Sequence, residues 1–287
     1  PGDIVVESTS GNTGIGVVMA ALVRGYKSII TIPDKMSTEK IDLLKALGAE
    51  VVVCQTDLPM DHPENYHGYA QRLGEKPGYF FVDQYSNPDN PQAHVNTTGP
   101  EIWEQMEGKL DYFFISLGTT GTLVGSARYL KEKDPNIKFI AIDPMGSVLG
   151  KPAEINGNAP APYKMEGIGQ PRPPQIMEYT NIHEFSKTED AESFQMAREL
   201  VSKEGLLVGG SCGAAVIGTF KYLKEKGLAD NENLRCVIFL PDGVRNYMSK
   251  HLNDKWMVGN GFYPTSILHD DSHPLASKTI ADIKNLQ

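Results

Sequence analysis

Residues 4–22 read IVVESTSGNTGIGVVMAAL: an apolar run, Ile4-Val5-Val6, then a polar turn, Thr9-Ser10-Gly11-Asn12-Thr13-Gly14, then a helix-like stretch from Ile15 to Leu22. A glycine-punctuated turn between a strand and a helix is an anion cradle. The first N–H groups of a helix have no intrahelical acceptors, its dipole is positive at that end, and glycine lets backbone approach a ligand closely. Taken alone, such a turn reads equally well as ordinary helix capping. A second cradle, Gly118-Thr119-Thr120-Gly121-Thr122, again follows an apolar run, Tyr112-Phe113-Phe114-Ile115, and precedes a helix-like stretch. Two cradles point to a two-ended ligand. A third glycine-rich element, Gly205 to Gly213, reads as a strand and turn entering a helix from Ala214. Its Ser211 is either a helix N-cap or a hydroxyl held at the carboxyl edge of a sheet, where open α/β proteins bind ligands, and position alone does not separate the two.

Around these turns, short apolar runs alternate with helical patterns. Strands are expected at 3–7, 28–32, 50–54, 79–82, 112–116, 138–143 and 235–240, and helices at 37–47, 95–106, 122–133, 190–204 and 212–226. Strands apolar throughout and separated by helices indicate parallel sheet covered on both faces, so the fold class is α/β. Asn87-Pro88-Asp89-Asn90-Pro91 breaks the pattern and marks a boundary between a smaller domain, 1–90, and a larger one, 91–263. Asn156 to Pro174 is a Pro- and Gly-rich loop of a length that is usually functional or disordered, and 264–287 reads as a linker.

Composition bounds the function. The chain has 287 residues, 40% hydrophobic and 22% charged, ordinary for a globular protein with a sizeable core. A net charge of -9 argues against nucleic acid and anionic membrane as partners. No apolar run approaches the roughly 20 residues of a membrane span and no signal peptide opens the sequence, so the cytoplasm is the expected location. Cys54, Cys212 and Cys236 lack metal-ligand spacing and read as buried reduced thiols.

Several strings together resemble one family: 9–14, Met36-Ser37-Thr38-Glu39-Lys40, Ala46-Leu47-Gly48-Ala49-Glu50, Asp83-Gln84-Tyr85, Glu166-Gly167-Ile168-Gly169, and Pro241-Asp242-Gly243-Val244-Arg245-Asn246-Tyr247-Met248. The chain resembles the catalytic core of the fold type II pyridoxal-phosphate enzymes, from Pro1 to about Phe262. Within them it is most similar to the cystathionine beta-synthases, which share this group with cysteine synthases and serine/threonine dehydratases. Glu166 and the 241–248 string, with Asp254-Lys255-Trp256-Met257 after it, carry that preference.

The resemblance implies two doubly wound α/β domains with a cofactor cleft between them. It implies that Asn12 donates to the phenolic oxygen of pyridoxal 5'-phosphate, that Gly118, Thr119, Thr120, Gly121 and Thr122 hold its phosphate, and that Ser211 bonds its pyridine nitrogen. A neutral hydroxyl there moderates the electron sink and favours loss of a β-substituent. Thr9, Ser10, Gly11 and Thr13 are implied to bind the substrate carboxylate, Gln84 and Tyr85 to flank the substrate, and Glu166 and Gly167 to lie where the second substrate enters. The implied reaction is β-replacement, in which L-serine loses its hydroxyl and L-homocysteine's thiolate takes its place to give cystathionine, a step of transsulfuration and cysteine biosynthesis. A homodimer is implied as well.

The family's Schiff-base lysine belongs to a Ser-x-Lys-Asp-Arg type motif expected upstream of Pro1, and no lysine of this sequence has that context. The haem-binding segment of animal relatives would also lie upstream, so haem is left open. Lys40, on a helix after the second strand, is expected to be solvated. Thr120 replaces the middle glycine usual in the phosphate loop, which implies strain if the backbone there needs positive φ. Gln170 stands where tyrosine is usual, and Ser8 where proline is. These departures leave a catalytically degenerate module as one alternative reading, and a cysteine synthase as another.

Overall fold

The computed structural model describes residues 3–59 and 62–262, so the stretch read as a linker lies outside the described residues. β1 (Ile4–Ser8), β2 (Lys27–Pro33) and β3 (Glu50–Cys54) alternate with α1 (Asn12–Val23) and α2 (Thr38–Ala46), after which α3 (Tyr66–Gly74) leads to β4 (Tyr79–Phe81). α4 (Asp89–Asn96) and α5 (Thr98–Gln105) lead into β5 (Tyr112–Ser116), α6 (Gly121–Lys133), β6 (Lys138–Pro144) and β7 (Ile182–Thr188). α7 (Asp190–Glu204), α8 (Gly210–Glu225), β8 (Cys236–Ile238) and α9 (Asp254–Gly259) complete the order.

The strands form two parallel four-stranded sheets, in the orders β3-β2-β1-β4 and β7-β6-β5-β8. Both follow one plan. The chain starts on an inner strand, β1 or β5, winds outward over two more, then crosses back to pair the fourth strand on the other side of the first. That reversal leaves a crevice beyond the carboxyl end of the inner strand, the position where open α/β sheets bind ligands. Both cradles lie there, at the β1–α1 and β5–α6 turns.

Alternate residues of β5 explain why the strands read as continuous apolar runs. Phe113 and Ile115 face Leu123, Leu130 and Phe139 on one side, while Tyr112 and Phe114 face Ile140, Ile142 and Tyr222 on the other. In the first sheet Ile30 and Ile32 pack with Val18, Met36 and Leu44, and Val6 and Ile29 pack with Ala70. Each sheet is covered on both faces, as parallel sheets require.

Three elements along the chain depart from the sequence expectations. The helix expected at 95–106 is two helices, broken at Thr97 (φ -128, ψ -69). Pro100 accounts for the break: it has no N–H to reach the Asn96 carbonyl, and proline is tolerated in the first turn of the new helix. α3 was not expected, although Asn65 caps it by accepting from His67 N at 3.0 Å. β7 was also missed, because Ile182-His183-Glu184-Phe185-Ser186-Lys187-Thr188 mixes polar and apolar residues on an edge strand.

Candidate active site

A cavity of about 740 Å³ opens between the two domains. Ser10, Asn12 and Thr13 line it from the first cradle, Gly118, Thr119, Thr120 and Thr122 from the second, and Ser211 from the start of α8. Gln84, Tyr85, Gly167 and Gln170 also line it. The motifs picked out along the sequence thus converge on one cleft.

Thr9, Gly11, Gly121 and Glu166 stand behind that wall rather than in it. Thr9 Oγ1 accepts from Gly11 N at 2.9 Å and so shapes the turn. Gly11 has φ 125, a region glycine occupies freely. Gly121 leaves room for the Asn90 amide, since a Cβ there would lie 1.9 Å from Asn90 Oδ1. Gly118 meets the loop on the opposite side of the cleft: a Cβ there would lie 2.5 Å from the Gly167 carbonyl oxygen.

Glu166 and Lys40 answer each other. Lys40 is fully enclosed, with Nζ 2.9 Å from Glu166 Oε2 and the side chains 0% and 5% exposed. The expectation that Lys40 is solvated is therefore corrected; a lysine with no exposure survives because Glu166, Tyr247 Oη at 3.0 Å and the face of the Tyr247 ring at 4.3 Å receive its charge. Glu166, for its part, points away from the cavity into this pair, and Ser37 N also donates to it at 3.3 Å. Ser211 is not the helix N-cap. Gly209 occupies that position and Ser211 lies in the first turn of α8, while the strand expected before it is reduced to one bridge, Val208 with Gly243.

Hydrogen bonds hold the wall in place. Thr13 Oγ1 donates to Gln84 Oε1 at 2.6 Å and Gln84 Nε2 donates to the Ser8 carbonyl at 2.7 Å, which fixes both ends of the amide. Asn90, in α4, donates through Nδ2 to the Gln84 carbonyl at 2.8 Å and to Thr119 Oγ1 at 3.0 Å, joining the two cradles. His94, one turn further along α4, meets Thr122 Oγ1 through Nε2 at 3.1 Å and Thr98 Oγ1 through Nδ1 at 2.8 Å. Burial lowers its pKa and keeps it neutral. Sequence reasoning gave neither a role: Asn90 lies within the Asn87–Pro91 punctuation and His94 shortly after it.

Thr120 is the most informative member. It has φ 74, one of three non-glycine residues with positive φ among those described, and caps α6 from the left-handed region. Its Oγ1 is buried and has no hydrogen-bond partner among the described residues. An unpaired buried hydroxyl beside the free N–H groups of a helix N-terminus fits a phosphate.

Charge is arranged unevenly around the cleft. Lys35 lines it with its ammonium 4.7 Å from the Tyr163 ring centroid; burial lowers its pKa, against the partly offsetting charges of Glu166 and Asp190. Tyr66 and Tyr85 meet hydroxyl to hydroxyl at 3.1 Å, and burial raises the pKa of both, so they remain neutral phenols. Below the first cradle, Glu7 is 0% exposed and neither carboxylate oxygen has a hydrogen-bond partner among the described residues. Burial pushes its pKa up to about 8, with the amides of Gln84 opposing and the charge of Asp83 adding to the rise.

Paired parallel sheets with helix N-termini facing one cleft define the class of fold type II pyridoxal-phosphate enzymes. The sequence model described as "pyridoxal-phosphate dependent enzyme" matches residues 1–248, and the chain belongs to that family. It is 48% identical over 262 residues to a cystathionine beta-synthase of Dictyostelium discoideum, covering 91% of this chain and 52% of that protein. It is 38% identical over 253 residues to a cysteine synthase of Staphylococcus aureus, covering 88% of this chain and 78% of that protein. Among solved structures, a hydrogen sulfide-producing enzyme from Fusobacterium nucleatum superposes with a TM-score of 0.78 at 35% identity, covering 85% of this chain and 79% of that one. The chain spans about half the length of the curated cystathionine beta-synthases it matches.

Proposed function

We propose that this cleft carries out pyridoxal-phosphate-dependent β-replacement, condensing L-serine with L-homocysteine to cystathionine. The observation that carries the reading is the meeting of two helix N-terminal cradles and Ser211 in one cavity, with Thr120 Oγ1 left unpaired in the second cradle. In this reading the loop 118–122 and the N-terminus of α6 take the phosphate, Ser211 faces the pyridine nitrogen, and Asn12 faces the phenolic oxygen. The bound cofactor supplies an electron sink for the substrate's α-carbon.

The chain's own residues do the positioning. The turn 9–13 presents the N-terminus of α1 to the substrate carboxylate. Gln84, clamped by Thr13 and Ser8, can hold one orientation only, and the enclosing loop 165–170 is pinned by Gly169 N donating to the Leu117 carbonyl at 2.7 Å. Lys35 supports a second substrate that carries a carboxylate, as homocysteine does and sulfide lacks. The same reading makes the protein a cytoplasmic homodimer of transsulfuration and cysteine biosynthesis, with amino acids as its ligands and neither nucleic acid nor membrane as a partner. The net charge of -9 supports the last point, and no helix among the described residues is long and apolar enough to cross a membrane.

The test is a product assay on the full-length protein loaded with pyridoxal phosphate. Serine with homocysteine is expected to give cystathionine by mass spectrometry. Cysteine from O-acetylserine and sulfide, with no cystathionine, would make it a cysteine synthase. Cofactor binding without either product would make it the degenerate module that Thr120 and Gln170 left open.

A further inference from the structure

Asn12, the first residue of α1, is held by a closed ring of contacts. Its Nδ2 donates to Asp242 Oδ2 at 2.8 Å, and Asn246 Nδ2 donates to its Oδ1 at 3.5 Å. The same Asp242 oxygen accepts from Tyr247 Oη, which itself accepts from Lys40 Nζ at 3.0 Å. The Lys40 stem then runs beneath Gly11, close enough that a Cβ on Gly11 would lie 2.5 Å from Lys40 Cδ. Gly11 precedes Asn12, and the ring is complete.

The direction of each bond follows from the donors available. An ammonium only donates, so the single proton of the Tyr247 phenol is turned toward Asp242. Burial, with the Asp242 charge beside it, holds that phenol well above its ordinary pKa and keeps the proton in place. A carboxylate only accepts, so Asp242 selects the nitrogen end of the Asn12 amide. One Nδ2 hydrogen is taken by Asp242 and the second remains for a ligand in the cleft that Asn12 lines. Asp242 also rests on the start of α8: Gly209 N donates to its carbonyl at 3.3 Å, and a Cβ on Gly209 would lie 2.2 Å from Oδ1. One side chain therefore touches the elements that carry Asn12 and Ser211.

We propose that Asp242 and Tyr247 are positioning residues that set the donor direction of Asn12 toward the phenolic oxygen of pyridoxal phosphate. This rests on the cofactor reading above. The experiment is titration of the full-length protein with pyridoxal phosphate, following affinity and the absorbance maximum of the bound cofactor, for wild type, Asn12→Ala, Tyr247→Phe and the double variant. Tyr247→Phe keeps the ring over Lys40 and removes only the hydroxyl. We expect about fivefold weaker binding, the size of one lost hydrogen bond, with an absorbance shift in the direction Asn12→Ala produces. In the Asn12→Ala background Tyr247→Phe should add nothing. Asp242→Asn, which can turn a donor toward Asn12, should give the same shift and guards against a Tyr247→Phe protein that fails to fold. Losses that add in the double variant, or single variants with wild-type affinity and spectrum, overturn the positioning role. A wild-type protein without saturable cofactor binding overturns the reading of the cleft itself.

Discussion

Lys40 and Glu166 form an ion pair shut away from solvent, Nζ to Oε2 at 2.9 Å, joining α2 of the first domain to the loop 165–170 of the cleft wall. The residues are 126 positions apart in the chain. Removing one partner of such a pair strands the other charge, whereas replacing both with apolar side chains restores most of the loss.

Lys40→Met is therefore expected to destabilise the protein by about 3 kcal/mol, and Lys40→Met combined with Glu166→Leu to recover most of that. Lys250 Nζ, 3.7 Å from Glu166 Oε1, softens the single-variant loss. Urea denaturation of the four proteins measures the coupling. Additive effects would mean that the pair contributes nothing as a pair.

Thr120→Gly is expected to act in opposite directions on the free and the cofactor-bound protein. Without cofactor it removes a non-glycine residue from φ 74 and an unpaired buried hydroxyl, so thermal stability rises, the strain alone being worth roughly 1 kcal/mol. With cofactor the lost hydroxyl is a lost phosphate contact, and affinity falls about fivefold. Thr120→Ala keeps the strain and loses the hydroxyl, so it should bind as weakly without the same gain in stability. Tighter cofactor binding by the glycine variant would mean that strain outweighs the contact.

Glu7 predicts a pH profile. Its folded pKa, about 8 against 4.5 unfolded, means that the folded state keeps a proton the unfolded chain releases. Its contribution is fully favourable below pH 4.5, is lost as pH rises toward 8, and is flat above. The loss reaches about 3 kcal/mol by pH 7. Glu7→Gln should remove it, so that wild-type and variant stabilities converge near pH 4.5 and diverge as pH rises. Parallel stability curves would place the ionised carboxylate among partners that satisfy it.

Lys35→Ala is expected to raise KM for homocysteine about tenfold and to leave turnover with sulfide unchanged, with Lys35→Arg in between. Equal effects on both nucleophiles would remove Lys35 from any role in reading the substrate carboxylate.

How much of this was legible in the sequence varied with the range of the forces involved. The two cradles were, because a strand-to-helix turn is local and its glycines sit at fixed offsets. Thr120 was flagged only by likeness, as a threonine where the family's loop carries glycine, and its φ of 74 supplies the backbone condition that the strain needed. The burial of Lys40 was not legible. On α2 it sits among Glu39, Asp42 and Lys45 and looks like any solvated helix face, and nothing in that spacing reveals a carboxylate from another domain. Glu166 was placed by likeness at the entrance, and only its partner shows that it faces inward. Asn90 and His94 belong to a helix whose residues have no motif of their own, and their value comes from what α4 packs against, the N-terminus of α6.

The two sheets share no strand, and each buries both of its own faces. Polar contacts that cross between them include Lys40 with Glu166, Asn12 with Asp242, and Ser37 Oγ with the Asn246 carbonyl at 2.6 Å. Each sheet is therefore expected to melt as its own cooperative unit when the cleft is empty. A molecule gripped by both cradles adds its binding free energy to the docked state alone. Calorimetry should then show two overlapping melts for the free protein drawn into one by the cofactor, so that the cleft makes a single thermodynamic body out of two.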